Sequence, residues 1–199
     1  MYKIFISTLC IYFSVVNAAT RVQHSDLYQE KGIWYNISTN SPFNGIAYKV
    51  SEKSKITVQQ INYIDGIEWG KYYEWWPNGM KKIDGTYRSG LMHGRWKFFN
   101  EKGKIYCAGS YINGNGHRPP DLLINIPKDG VRGLWTYWNQ SGRKIEEGYF
   151  SKNGVAKGNW SYWDKSGRKR LGKKINYNTF INKDALKHLD GYFLVSGPD

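Results

Sequence analysis

The sequence predicts a mainly β protein, an elongated antiparallel sheet built from stacked β-hairpin repeats with a short C-terminal helix or cap. Three observations predict this fold. Aromatic residues make up 17% of the 199 residues, and 22 glycines divide them into short runs. A Gly-x-Trp or Gly-x-Tyr step recurs along the chain, and a turn signal follows each copy. Hairpins of this kind must stack, because a single hairpin cannot bury its own apolar face.

Residues 1–18 are predicted to be a cleaved secretory signal. Lys3 is their single charge, an apolar stretch runs from Ile4 to Val16, and the small residues Ala18 and Ala19 follow. This pattern is typical of export to the periplasm or the cell exterior with cleavage after Ala18, and an uncleaved anchor is the alternative. Because a membrane span needs about 20 apolar residues, the mature chain is not expected to be an integral membrane protein.

Export would leave a strongly basic chain with one cysteine. Loss of Lys3 lowers the 29 basic residues to 28, which against 16 acidic residues gives a net charge of +12. Cys10 is lost with the leader, so Cys107 cannot form a disulfide within the mature chain. We expect the Cys107 thiol to be buried and inert. The alternative is a thiol that pairs with another molecule or senses redox conditions.

The mature chain is predicted to consist of three parts. Residues 19–60 form an N-terminal segment with the first hairpin, residues 61–170 form four repeats, and residues 171–199 form a C-terminal cap. The repeats are Asp65–Gly79, Ser89–Gly103, Asp129–Gly142 and Asn153–Gly167. A short strand that carries a tyrosine precedes each repeat, and these tyrosines are Tyr63, Tyr87, Tyr111 and Tyr149.

Each repeat is predicted to be a strand between two turns. Dipeptides such as Ser89-Gly90 supply the positive φ of a hairpin turn, and Asn100–Gly103 matches a type I turn that ends on a left-handed glycine. Side chains alternate along a strand, so Trp96 and Phe98 share one face. Stacked hairpins would place Trp96, Trp135 and Trp160 in equivalent positions, where cross-strand aromatic pairs stabilise the sheet.

These motifs resemble a known family. The pattern Gly-x-Trp-x-Tyr-(Trp/Phe)-(Asn/Asp)-x-x-Gly-(Lys/Arg) resembles the bacterial variant of MORN repeats. Residues 31–35 and 41–47 resemble the start of YwqK-type antitoxin proteins, where an aromatic dipeptide precedes a Pro-Phe-x-Gly step into the first hairpin. The resemblance covers about residues 27–170 and implies a hairpin-repeat fold and a role in neutralising a toxin. An insertion at about 114–128 and the tail after Leu171 depart from the pattern.

The insertion and the tail are candidate binding elements. The insertion carries an apolar run framed by prolines, and we expect it to bind a partner or to fold back over the sheet. Its candidate anchors are Leu122, Leu123, Ile124 and Ile126. In the tail a helix is predicted from about Asn182 to Leu189, either to cap the last hairpin or to bind a partner.

Basic residues that recur within the repeats are the second candidate contact surface. The residues selected are Arg95, Lys97, Arg132 and Arg143. A positive surface would steer an acidic protein partner towards the chain. The alternative is a solvated strand face that prevents edge-to-edge aggregation.

The sequence shows no pattern typical of a reactive centre. The four histidines lack the spacing of metal ligands, and neither a nucleophile elbow nor a phosphate-binding loop occurs. We therefore expect a protein that is not an enzyme and uses no metal or cofactor. Basic charge with aromatics also suits nucleic acid, but the predicted export argues against that partner.

The favoured function is that of an exported immunity or antitoxin-like protein. It would bind and neutralise a toxin or effector, expected to be acidic, through the repeat surface and the insertion. One alternative is an envelope protein whose exposed aromatics bind wall glycans through cation–π contacts. Another is a module that binds anionic lipid surfaces through its basic residues.

Overall fold

The computed structural model describes residues 19–115, 129–164 and 166–171. Fourteen strands account for most of these residues. In chain order they are β1 Arg21–Gln23, β2 Leu27–Glu30, β3 Ile33–Asn36, β4 Ser41–Pro42, β5 Gly45–Val50, β6 Thr57–Ile64, β7 Ile67–Trp75, β8 Lys81–Arg88, β9 Leu91–Phe99, β10 Ile105–Gly114, β11 Val131–Trp138, β12 Lys144–Phe150, β13 Ala156–Trp163 and β14 Lys169–Leu171. The predicted leader, the four apolar anchors of the insertion and the predicted C-terminal helix lie outside the described residues.

One long sheet dominates the fold. Its eleven strands lie in the order β1-β5-β6-β7-β8-β9-β10-β11-β12-β13-β14. From β5 to β14, each strand pairs antiparallel with the next one in sequence. This arrangement confirms the mainly β fold and the sheet of successive hairpins that the sequence predicts.

The N-terminal segment covers the β5 edge of the long sheet. The sequence did not predict this arrangement. Strand β1 pairs with β5 in parallel, and the Ile46 amide donates to the carbonyl of Thr20 at 2.8 Å. Strands β2, β3 and β4 form a separate small sheet. Its Trp34 amide donates to the Gly66 carbonyl at 2.8 Å, and the Trp34 ring contacts Tyr63. The small sheet is therefore fixed against the first hairpin.

One face of the long sheet, called here the inner face, carries Trp96, Trp135 and Trp160. Each of these tryptophans lies over a glycine of the preceding strand. A Cβ atom added to Gly109 would lie 2.0–2.4 Å from the indole of Trp135, so that ring lies directly on the glycine of the preceding strand. Gly85 under Trp96 and Gly148 under Trp160 repeat the arrangement. The three tryptophans, all at most 3% exposed, therefore occupy the equivalent positions that the repeats predict.

An aromatic ring on the preceding strand meets each of these indoles edge to face. Tyr111 meets Trp135 with ring centroids 5.2 Å apart, and Tyr87 meets Trp96 at 5.3 Å. In the last repeat this ring is Phe150, whereas Tyr149, which lies on the strand before that repeat as the sequence predicts, is 57% exposed. Gly148 pairs with Trp135 on the inner face, and alternation therefore turns Tyr149 to the opposite face.

Buried Cys107 yields a first testable prediction. The residue is fully buried, and burial raises the pKa of its thiol well above the usual value. Because the thiolate is the reactive species, Cys107 in a chain of residues 19–199 should resist a disulfide reagent in native buffer. Thiol titration should detect the group only after unfolding in guanidinium. Rapid stoichiometric reaction of the folded chain with the disulfide reagent would contradict the burial of Cys107.

Candidate functional site

The candidate site lies on the opposite face of the long sheet, called here the outer face, and a recurrent bulge builds it. In β7, Glu68 pairs with Tyr63 and Tyr72 pairs with Ile61, so three residues of β7 face the single residue Asn62. The central residue of the bulge is Gly70, with a φ of +94°. The equivalent Gly94, Gly133 and Gly158 also have positive φ, which glycine adopts at little cost. Each bulge turns additional side chains towards the outer face.

Three cations next to these bulges form a row across the strands. The register pairs Lys71 with Thr86, Arg95 with Ser110, and Ser110 in turn with Arg132. These cations, called here the cation row, thus occupy β7, β9 and β11, and hydroxyl residues occupy the strands between them. Neighbouring strands lie about 4.8 Å apart, so successive cations of the row are spaced by about 10 Å.

The structure brings together three of the four basic residues selected from the sequence. Arg95 and Lys97 extend from the same face of β9, one pleat apart, and Arg132 lies two strands away. The Arg132 guanidinium donates to the Lys152 carbonyl at 2.9 Å. Arg143 lies elsewhere, in the turn between β11 and β12, where it donates to the Ser141 hydroxyl at 3.4 Å.

The outer face is positive because its carboxylates are paired with other lysines. Asp84 lies 3.1 Å from Lys81, and Glu147 lies 2.7 Å from Lys144. The hydrogen bond from Lys144 holds the pKa of Glu147 below its usual value, so this carboxylate stays ionised and paired at neutral pH. Within residues 19–115, 129–164 and 166–171, the cation row forms no ion pair.

Exposed apolar side chains accompany the cations on this face. Leu134 and Tyr149 pair across β11 and β12 and are 42% and 57% exposed. Ile64 and Ile112 each follow a buried inner-face tyrosine, Ile67 pairs with Ile64, and Trp69 follows Glu68, whose cross-strand partner is inner-face Tyr63, so four more such side chains lie on the outer face. The six residues, called here the outer patch, are Ile64, Ile67, Trp69, Ile112, Leu134 and Tyr149. Three of them lie on β6 and β7 and three on β10, β11 and β12, and exposed apolar side chains grouped in this way are typical of surfaces that bind a partner.

Sequence reasoning missed the outer patch because the pattern alone does not give the bulge positions. Each bulge changes the alternation of inner and outer residues, so the face of Trp69 or Leu134 cannot be read from simple period-two counting. Exposed Ile64 and Ile67 flank the Asp65-Gly66 turn, and their pairing across it was the one available signal.

The insertion leaves the sheet beside this patch. The Ile112 amide donates to the Gly130 carbonyl at 2.9 Å, and the Asn115 amide donates to the Asp129 carboxylate at 2.9 Å. A Cβ on Gly114 would lie 2.5 Å from the Asp129 carbonyl oxygen, so the two ends meet in a narrow neck. The insertion therefore begins and ends next to Ile112 and Arg132 of the outer face.

Among residues 19–115, 129–164 and 166–171, no group of three or more His, Cys, Asp or Glu side chains could hold a metal ion. None of their helical segments is long and apolar enough to cross a membrane. The expectation that the chain is not an enzyme stays a prediction.

Comparisons with known proteins leave the family open. No family model matches the sequence, and no curated protein matches it. A solved structure described as the GtfA/B complex bound to UDP and GlcNAc is similar at 13% identity and a TM-score of 0.27. The match covers 61% of this chain and 25% of that chain, and a likeness at this level carries no argument. The resemblance to MORN-like repeats and YwqK-type antitoxins stays a prediction from sequence.

Proposed function

We propose that this chain is a non-enzymatic, exported binding protein of the immunity or antitoxin kind, which binds and neutralises an acidic toxin or effector protein through its outer face. The observation that carries the proposal is the cation row beside the outer patch. The row presents unneutralised positive charge, and the patch presents apolar surface that a protein partner would cover.

The two features favour a protein partner for different reasons. Charge complementarity steers association and rejects partners of like charge, so a row of cations selects an acidic surface. Apolar side chains such as Leu134 and Tyr149 can supply the desolvated centre of an interface, which carries most of the binding energy. A purely polyanionic ligand would use the cations and leave the outer patch exposed to water.

Charge reversal of the cation row tests the proposal. The mature chain, residues 19–199, would serve as bait, and the captured protein would be identified, purified and titrated by calorimetry. We expect R95E/R132E to weaken its binding at least about tenfold, because both contacts become repulsive. The matched control is K102E/K104E, which changes net charge equally at exposed lysines in the turn after β9.

The same titrations define the results against the proposal. Equal weakening by both double variants would mean that net charge alone drives binding, and the outer face would lose its role. Capture of wall glycan or anionic vesicles in place of a protein would favour the envelope alternative. Neutralisation is tested separately, because the captured protein should be toxic when produced alone and harmless when the mature chain is produced with it.

A further inference from the structure

We infer that the partner segment held by the outer face is an acidic amphipathic helix that crosses the strands, with carboxylates at every seventh residue along the cation row. This inference rests on the proposed function and adds the shape and charge spacing of the partner. It follows from the spacing of Lys71, Arg95 and Arg132 and from their position beside the outer patch.

The register of the sheet determines the spacing of the cations. Arg95 and Arg132 both pair with Ser110, one from each side, so they are separated by two strand spacings, or about 9.6 Å. Seven residues of an α-helix rise about 10.5 Å and return to nearly the same helix face. A helix that lies across the strands can therefore place successive carboxylates opposite successive cations.

Lys71 extends the match to a third position. It pairs with Thr86 on β8, and β7 lies two strands before the β9 strand of Arg95. The row from Lys71 to Arg132 spans four strand spacings, or about 19 Å. Fourteen helical residues rise about 21 Å, so one helix of about four turns covers all three cations.

The spacing of the cations and the apolar side chains beside them favour a helix over other acidic ligands. An extended strand repeats its same-face side chains about every 6.8 Å, which does not match the cation spacing. A polyuronate or polyphosphate could follow the charges but has no apolar groups for Trp69 and Leu134, both more than 40% exposed. An amphipathic helix carries a charged stripe and an apolar stripe side by side, and the outer face offers cations on β7, β9 and β11 with exposed apolar side chains beside them on β7 and β11.

Two synthetic peptides of identical composition test the spacing. One carries glutamates at every seventh position with leucines beside them, and the other carries the same glutamates at every fifth position, which distributes them around the helix. Circular dichroism would first establish equal helix content. Fluorescence anisotropy with the mature chain would then give the two affinities, with a polyuronate and anionic phospholipid vesicles as further ligands.

We expect the heptad peptide to bind at least about tenfold more tightly than its isomer, and R95Q/R132Q to remove that preference. The control K102Q/K104Q should retain it. Equal affinities of the two peptides, or tighter binding of the polyuronate or the vesicles, would overturn the inference. If R95E/R132E still weakens binding of the captured protein while the two peptides bind with equal affinity, the inference of a helix is wrong and the proposed function stands. If R95E/R132E leaves the affinity for the captured protein unchanged, the proposed function itself fails.

Discussion

Replacement of Gly109 by alanine should destabilise a chain of residues 19–199 by about 3 kcal/mol. The new Cβ would lie 2.0–2.4 Å from three atoms of the Trp135 indole, and that ring is completely buried. Overpacking of a well-filled core costs about 1–3 kcal/mol, and a rigid ring with no free space lies at the upper end. Urea unfolding followed by tryptophan fluorescence would measure the loss as a lower midpoint at an unchanged slope.

Ser110→Ala is the matched control for Gly109→Ala. Ser110 is the next residue of the same strand and faces the outer side, between Arg95 and Arg132. Its replacement should change the free energy of unfolding by less than about 1 kcal/mol. If Gly109→Ala were as mild as Ser110→Ala, the close contact between glycine and indole would be wrong.

Removal of the Trp135 side chain should cost about 3–5 kcal/mol, since a buried aromatic is replaced by a cavity. Trp135 also meets Tyr111 and Phe150 edge to face, so its loss disturbs the rings on both sides. The control is Trp69→Ala, which removes the same side chain from a position that is 41% exposed and should cost about 1 kcal/mol or less. The same urea titration compares the two variants.

The losses of unfolding free energy caused by Gly109→Ala and Trp135→Ala should not be additive. Non-additivity distinguishes a direct contact between the two residues from independent destabilisation at each position. Once Trp135 is alanine, a methyl group at Gly109 meets no ring, so Gly109→Ala should cost little in that background. A coupling energy of about 1–3 kcal/mol is expected for residues in contact. If Trp135→Ala fails to fold, Trp135→Leu provides a background for the same cycle that also lacks a ring at this position. Additive losses of unfolding free energy would argue against a close contact between Gly109 and the Trp135 ring.

The repeat architecture could be predicted because local chemistry determines it. Turn residues such as Asn100, whose side-chain oxygen accepts the Lys102 and Lys104 amides, fix the hairpins without distant contacts. The aromatic spacing then fixes which hairpins stack. Strand β1 could not be predicted in the same way, because parallel pairing with β5 depends on contacts between distant residues and leaves no local signal.

The candidate site was only partly predictable for a related reason. Arg95, Lys97 and Arg132 were selected as basic residues of the repeats, and the register brings them onto one face. Arg143 belongs to the same basic composition but lies in a turn, which composition alone cannot distinguish. The outer patch depends on bulges, and its apolar residues look like ordinary core residues until the face of each one is known.

Among the strands that the structure describes, those from β6 to β14 pair only with their neighbours in sequence, and this makes the length of the sheet adjustable. Duplication or deletion of one complete hairpin would add or remove a glycine together with the tryptophan that lies on it, so no remote part of the core would need redesign. Each such step would lengthen or shorten the outer face by about 10 Å. Selectivity for longer or shorter ligands could therefore change through repeat number alone, without alteration of a single contact.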